Sequence, residues 1–312
     1  ALQSPGSRLG GGFLMVPTGA HPLSVTPPPA GGLTRIMARA VGRNWARLGY
    51  AYRVEPTWLA VNRFDLPVRG LAPALAGLRV AHLSDFHLGP HIPAGYLEGA
   101  VARAAAERPD LIALTGDFVD RGPDHVGRAA RLFRGLAAPL GVYAVLGNHD
   151  FAVHTPRGKR KHPDLDRRIA DALGTEGVTV LRNRAATVAR GGGRLVVAGV
   201  DDLWSGEADV PAALGGANAD TPRILLAHNP QAADALGPHR ADVILSGHTH
   251  GGQIDWPGLG RLFLHRGARR WAAGLYPLPG GGHLYVNTGV GFGWRFRFGV
   301  RPELAVLTLR PV

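Results

Sequence analysis

The chain of 312 residues carries 35 Lys and Arg against 23 Asp and Glu, a formal charge of +12, and 45% of its residues are hydrophobic. That composition excludes a wholly disordered chain, and the absence of cysteine excludes a disulfide scaffold, a Cys-ligated zinc site and a thiol nucleophile. No apolar run approaches the about 18 residues a transmembrane helix needs, so the sequence reads as a soluble, basic, globular protein.

Residues 1–32 hold seven Gly and six Pro, with Arg8 as their one charged residue. They lack the apolar periodicity of a folded segment and the cationic start of a signal peptide, and are read as disordered. From residue 33 the pattern changes. Leu33, Met37, Val41, Trp45 and Leu48 recur at helical spacing, with Arg35, Arg39, Arg43 and Arg47 on the other side. Such a basic amphipathic helix either lies on an anionic membrane surface or docks its apolar side on the domain, the commoner case. Residues 33–70 are therefore assigned to this helix and a linker, and residues 71–312 to one catalytic domain.

In that domain, Leu78–Leu83, Leu111–Thr115, Val142–Leu146, Arg194–Val200, Arg223–Ala227 and Val243–Leu245 read as buried strands. Tyr96–Arg108, His125–Leu136 and Leu165–Leu173 read as helices, and Leu284–Asn287 and Leu304–Leu309 as closing strands. The alternation predicts a layered α/β fold. The polar residues gather just after five strands: Asp85-Phe86-His87, Gly116-Asp117-Phe118-Val119-Asp120, Gly147-Asn148-His149-Asp150, His228-Asn229-Pro230 and Gly247-His248-Thr249-His250. Sites in open α/β sheets form outside the carboxyl ends of strands. Residues two apart in an extended segment share a side, so Asp85 with His87, and His248 with His250, can each converge on one point. A donor set of Asp, Asn and His without thiolate suits Mn²⁺, Fe²⁺, Co²⁺ or Zn²⁺. There are too many donors for one ion, and a bridging carboxylate would hold two about 3.5–4 Å apart.

On these five motifs, in this order, the sequence resembles the calcineurin-like metallophosphoesterases, closest to a small bacterial single-domain branch, from about Gly77 to Leu309. Leu-Ser-Asp-Phe-His-Leu-Gly, Leu-Leu-Ala-His-Asn-Pro and Ser-Gly-His-Thr-His-Gly-Gly-Gln extend the match. The resemblance implies an α/β/β/α sandwich and two divalent ions, manganese first, with iron, zinc or cobalt as alternatives. Asp85, His87 and His250 would bind the first ion, Asp117 would bridge, and Asn148, His228 and His248 would complete the second. His149 would donate to the phosphoryl or leaving oxygen, with Asp150 orienting it. The implied reaction is phosphoester hydrolysis by a metal-bridging hydroxide.

Phosphodiesters on lipid or nucleotide-linked carriers are the preferred substrates, at a cytoplasmic site with peripheral contact to an anionic membrane through residues 33–50. A nuclease acting on DNA or RNA and a non-catalytic membrane scaffold are the rivals. Nucleic acid is not favoured, because Phe151 alone stands near the basic loop Arg157–Lys161 and makes no stacking platform. Asp120 is expected to hold its loop or a histidine, and Arg121 to contact phosphate or form a surface ion pair. His82 is expected to be structural, and His91, His125 and His239 to be surface or packing residues. Asp201 and Asp202 receive no role. In Trp294–Phe298, strand alternation would put Arg295 and Arg297 on one face and the aromatics in the core.

Overall fold

A computed structural model describes residues 42–156, 158–216, 218, 220–255, 264 and 269–312. The Gly/Pro-rich segment 1–32 and the first part of the predicted 33–50 helix lie outside the described residues. The remainder of that helix is α1 (Gly42–Arg53). No helix among the described residues is long and apolar enough to cross a membrane.

Twelve strands form two six-stranded sheets among the described residues. In chain order they are β1 (Ala60–Val68), β2 (Arg79–Leu83), β3 (Leu111–Thr115), β4 (Val142–Val145), β5 (Thr179–Val180), β6 (Arg184–Arg190), β7 (Gly193–Gly199), β8 (Arg223–Leu226), β9 (Val243–Ser246), β10 (Gly274–Pro277), β11 (His283–Val286) and β12 (Glu303–Pro311). The first sheet runs β1-β12-β2-β3-β4-β5 and the second β10-β11-β9-β8-β7-β6. The centres are parallel: β2, β3, β4 and β5 in one, and β7, β8, β9 and β11 in the other.

The central strands are apolar almost throughout because both faces of each sheet are covered. Along them the side chains alternate. Val80, Leu111, Ala113, Val145, Val197, Leu226 and Leu245 meet between the sheets. Ala81, Leu83, Ile112, Leu114 and Ala144 face outward, onto a core that includes Leu97, Ala129, Phe133, Ile169 and Leu173. These come from α2 (Tyr96–Ala106), α3 (Val126–Arg131) with the turn after it, and α4 (Leu165–Thr175). Outside the second sheet, Val196, Ala198, Leu225, Ile244 and Leu284 pack with Val210 and Leu214 of α5 (Val210–Leu214) and with Trp271. The architecture is the expected α/β/β/α sandwich.

Two departures have physical causes. Residues 60–68, assigned to the linker, form β1, which pairs with β12 in parallel along nine residues. Asn62, Arg63 and Asp65 interrupt its apolar pattern because β1 is a sheet edge, where one side meets water. The helix expected over His125–Leu136 is only α3; Gly135, at φ +73°, marks the turn that follows it.

Candidate active site

The five motifs meet at the carboxyl ends of β2, β3, β4, β8 and β9. The loops are tied together by their backbones: Asp85 N–H donates to Gly116 O (3.0 Å), His87 N–H to Asp117 O (2.7 Å) and Gly247 N–H to His228 O (3.0 Å). The turns are sharp. Asp85, His87, Asp117, His248 and His250 all sit at positive φ, between 45° and 72°. That region is sparse for residues with a Cβ, and each such placement costs on the order of 1–3 kcal/mol, so the surrounding structure must enforce it. Two glycines make room for the carboxylates. A Cβ on Gly147 would lie 2.2 Å from Asp117 Oδ1, and one on Gly247 would lie 2.1 Å from Asp85 Oδ2.

Donor atoms converge in two groups that share one oxygen. In the first, His87 Nε2 is 3.0 Å from His250 Nε2, and His250 Nε2 is 3.3 Å from Asp85 Oδ1. In the second, His248 Nδ1 is 2.9 Å from Asn148 Oδ1 and 3.2 Å from His228 Nε2. Asp117 Oδ2 stands between them, 3.4 Å from His87 Nε2 and 3.2 Å from His228 Nε2. Outer contacts fix these orientations. His228 Nδ1–H donates to Thr115 O (2.8 Å) and Asn148 Nδ2 to Val153 O (2.7 Å), so Nε2 and Oδ1 face inward. Backbone N–H groups hold the carboxylates, His248 on Asp85 (3.0 Å) and His149 on Asp117 (2.9 Å).

This arrangement fits divalent cations. Facing imidazole nitrogens at such distances match two donors about 2.1 Å from a common ion, at roughly a right angle to each other. Electrostatics agree. Burial alone would depress His87 and His228, but the Asp120, Asp85 and Asp117 carboxylates around the first, and Asp117, Asp85 and Asp202 around the second, push both up to about 10. Burial pushes His248 and His250 down to about 3, with the His228 and His87 imidazoles adding to the effect. The carboxylate field that holds protons on two histidines is one that metal ions would neutralise. Asp85–His87–His250, Asp85–Asp117–His228 and His87–Asp120–His149 are each close enough to hold an ion.

His149 lies beside this centre on the wall of a cavity of about 480 Å³. Its Nδ1–H donates to Asp120 O at 2.6 Å, which leaves Nε2 for the cavity. Asp150, expected to orient His149, does something else. Its carboxylate accepts the N–H groups of Phe118 (2.9 Å), Val119 (3.3 Å) and Gly147 (2.9 Å), clamping the β3 and β4 loops. Orientation of His149 falls to Asp120, whose Oδ1 also stands 3.5 Å from His87 Nδ1. His82 is structural, bonded to Thr115 Oγ1 at 2.8 Å.

Arg121 is exposed, with its Nε 3.7 Å from Asp120 Oδ2 as in the expected surface ion pair. In the basic loop, Arg157 lies outside the described residues. Arg160 is committed to Asp166 and Glu207 and stacks 5.1 Å from the Phe151 ring. The alternation expected over Trp294–Phe298 is inverted. This stretch is not a strand; Trp294 is exposed, and Arg297 is fully buried. Arg297 donates to the carbonyls of Thr288 (2.9 Å), Gly289 (3.2 Å), Gly291 (2.8 Å) and Val300 (3.3 Å), and its Nη2 is 3.3 Å from His250 Nδ1.

Among the cavity residues that sequence reasoning missed are two aromatic rings, His154 and Trp204. The His154 ring centroid is 4.5 Å from that of His149, and Trp204 meets the His248 ring edge-on at 4.4 Å. Neither belongs to a spaced motif, although Trp204 closely follows Asp201 and Asp202. Those two residues shape its loop: Asp201 binds Arg182 with both oxygens, and Asp202 accepts Ser205 N–H at 2.8 Å.

A thiol-free double cluster at the mouth of a two-sheet sandwich, with a histidine presented beside it, defines a metal-dependent phosphoester hydrolase. The chain belongs to the calcineurin-like phosphoesterase family, whose profile matches residues 78–252. It is 32% identical over 265 residues to phosphodiesterase YaeI of Escherichia coli, covering 84% of this chain and 92% of that protein. It is likewise 32% identical over 267 residues to the uncharacterized metallophosphoesterase YkuE of Bacillus subtilis (84% and 89%). Over 321 residues it is 30% identical to UDP-2,3-diacylglucosamine pyrophosphatase LpxG of Chlamydia trachomatis (88% and 95%).

Proposed function

We propose that the protein hydrolyses phosphodiester or diphosphate bonds with two divalent ions, manganese first among manganese, iron, zinc and cobalt. Asp85, His87 and His250 would hold one ion, Asn148, His228 and His248 the other, and Asp117 would be shared. The observation that carries this is the position of Asp117 Oδ2, within 3.4 Å of an imidazole from each group. The ions would supply an activated water and neutralise charge on the phosphoryl oxygens.

The chain's own residues supply the rest. The Asp120 carbonyl fixes the His149 ring so that Nε2 can exchange a proton with a reacting oxygen in the cavity. Burial pushes this imidazole down to about 4 in the free protein, and an anionic phosphoryl group beside it would favour its protonated form. Asp150 holds both loops still during the reaction.

A lipid-linked substrate is the favoured class, at a membrane reached through residues 33–50. It is supported by the diacylated sugar nucleotide for which LpxG is named and by the basic, acid-free α1. Chelated protein, reloaded with Mn²⁺, is to be tested on a chromogenic phosphodiester, its monoester and a nucleoside-diphosphate-linked diacyl sugar. Metal-restored turnover with preference for the diacyl substrate is expected. Turnover of the monoester alone would overturn the substrate class, and turnover without metal would overturn the whole reading.

A further inference from the structure

We propose that the mouth of the active-site cavity is itself a membrane-docking surface for an anionic bilayer, formed by the outward stripe of α1 together with Trp294. Its use in catalysis rests on the lipid-linked reading above; the docking itself does not.

Four large hydrophobic side chains, three on α1 and one at the cavity, are about half exposed or more: Trp45 (60%), Leu48 (48%), Tyr52 (52%) and Trp294 (51%). The first three are spaced i, i+3 and i+7, so they lie along one face of α1. The far side of the helix faces the protein, where Tyr50 packs edge-on against Trp58 at 6.4 Å. Ala51 is buried, and its carbonyl accepts Arg297 N–H at 2.9 Å. The stripe is thus an apolar face left over after the helix has docked, and a contiguous apolar face rimmed by polar groups marks an interaction site.

The stripe continues to the catalytic mouth. The Arg295 guanidinium lies over the Tyr52 ring, 5.5 Å from its centroid, and the next residue toward the cavity is Trp294. Trp294 is stacked on Phe296 at 5.6 Å, which holds its ring in place. It also forms part of the cavity wall that includes His149 and His250. One surface therefore runs from the helix to the edge of the reacting centre.

Its chemistry selects a bilayer over a protein partner. Aromatic rings and leucine alternate with arginine: Arg47 and Arg53 are exposed, Arg295 is half-buried, and no acidic residue lies within α1. Trp and Tyr favour the headgroup level of a membrane, and each basic residue near an anionic leaflet adds to the attraction. A lipid whose phosphoester lies at the headgroup level would then meet the cavity without leaving the bilayer.

The full chain should be sedimented with phosphatidylcholine vesicles containing phosphatidylglycerol and, in parallel, with pure phosphatidylcholine vesicles. The wild type is expected to pellet with the anionic vesicles and to be released by salt. The Trp45→Glu/Leu48→Glu variant should lower the vesicle partition about tenfold or more while hydrolysing a soluble diester at the wild-type rate. Trp294→Glu should lower the partition as well. Absent binding by the wild type, or unchanged binding by both variants, would overturn the surface. Light scattering that shows a dimer broken by Trp45→Glu/Leu48→Glu would reassign the stripe to a second copy and also overturn it. Vesicle binding without hydrolysis of the diacyl substrate would keep the surface and remove the substrate reading.

Discussion

The two sheets contribute different chemistry to one centre. The ends of β2, β3 and β4 bring the carboxylates and the amide: Asp85, Asp117, Asp120, Asp150 and Asn148, with His87 and His149. The ends of β8 and β9 bring three imidazoles: His228, His248 and His250. Each of the two donor groups around Asp117 draws on both sheets. The first group needs His250 from the second sheet, and the second group needs Asn148 and Asp117 from the first. Hydrogen bonds cross at the same place, from His248 N–H to Asp85 and from His228 Nδ1–H to Thr115 O. A metal centre held this way would clamp the sandwich as well as serve catalysis, so stability and activity should respond together.

The sharpest break is at the shared residue. Asp117→Ala should abolish metal-dependent turnover of a chromogenic diester, and substantial residual turnover in pure protein would separate catalysis from the shared site. His149→Ala should lower kcat by about 10²–10⁴-fold with less loss of metal than Asp117→Ala, because its ring lies outside the two groups around Asp117 and meets His87 and Asp120 at their edge. A parallel loss of metal would make His149 part of the clamp. Chelation should lower Tm measurably, since an ion bound only by the folded state stabilises it by mass action; an unchanged Tm would mean that the sheets dock without help. Gly247→Ala is expected to lower both Tm and metal content, because its Cβ would meet the Asp85 carboxylate at 2.1 Å.

The smallest effect lies away from the centre. Glu107, just past α2, pairs with Arg63 of β1 at its exposed edge, with Arg79 of β2 and with Arg103. Its hydrogen bonds to Arg63, opposed by burial, hold its carboxyl below the usual range. A depressed carboxyl stabilises the fold above its unfolded pKa, and that contribution fades as pH falls through the folded value. Glu107→Gln should therefore cost no more than about 1 kcal/mol near neutral pH, discounted for the exposed arginines. Denaturation curves of the variant and wild type should converge in acid.

The same contrast explains what could be read from the sequence. The convergence of these residues was legible because a divalent site without thiolate would admit few residue types, and because each motif directly follows a buried apolar run. The strands carrying them were legible for the same reason. Edge strand β1 was not, since its polar residues face water or neighbouring ions and break the pattern. Arg297 was misread because alternation holds only for a strand; here an irregular segment turns its guanidinium onto four backbone carbonyls. Asp150 was placed on its sequence neighbour, whereas its carboxylate reaches across to the β3 loop. Trp204 and His154 reach the cavity through loop geometry that no local pattern encodes.

The most direct test counts bound metal against turnover, in wild type and in Asp117→Asn, as Mn²⁺ is added back to chelated protein. A shared Asp117 predicts two ions per wild-type chain, with turnover of the diester rising only as the second binds, and a variant that holds fewer and stays inactive. Full turnover at one ion per chain, or an active variant, would contradict it.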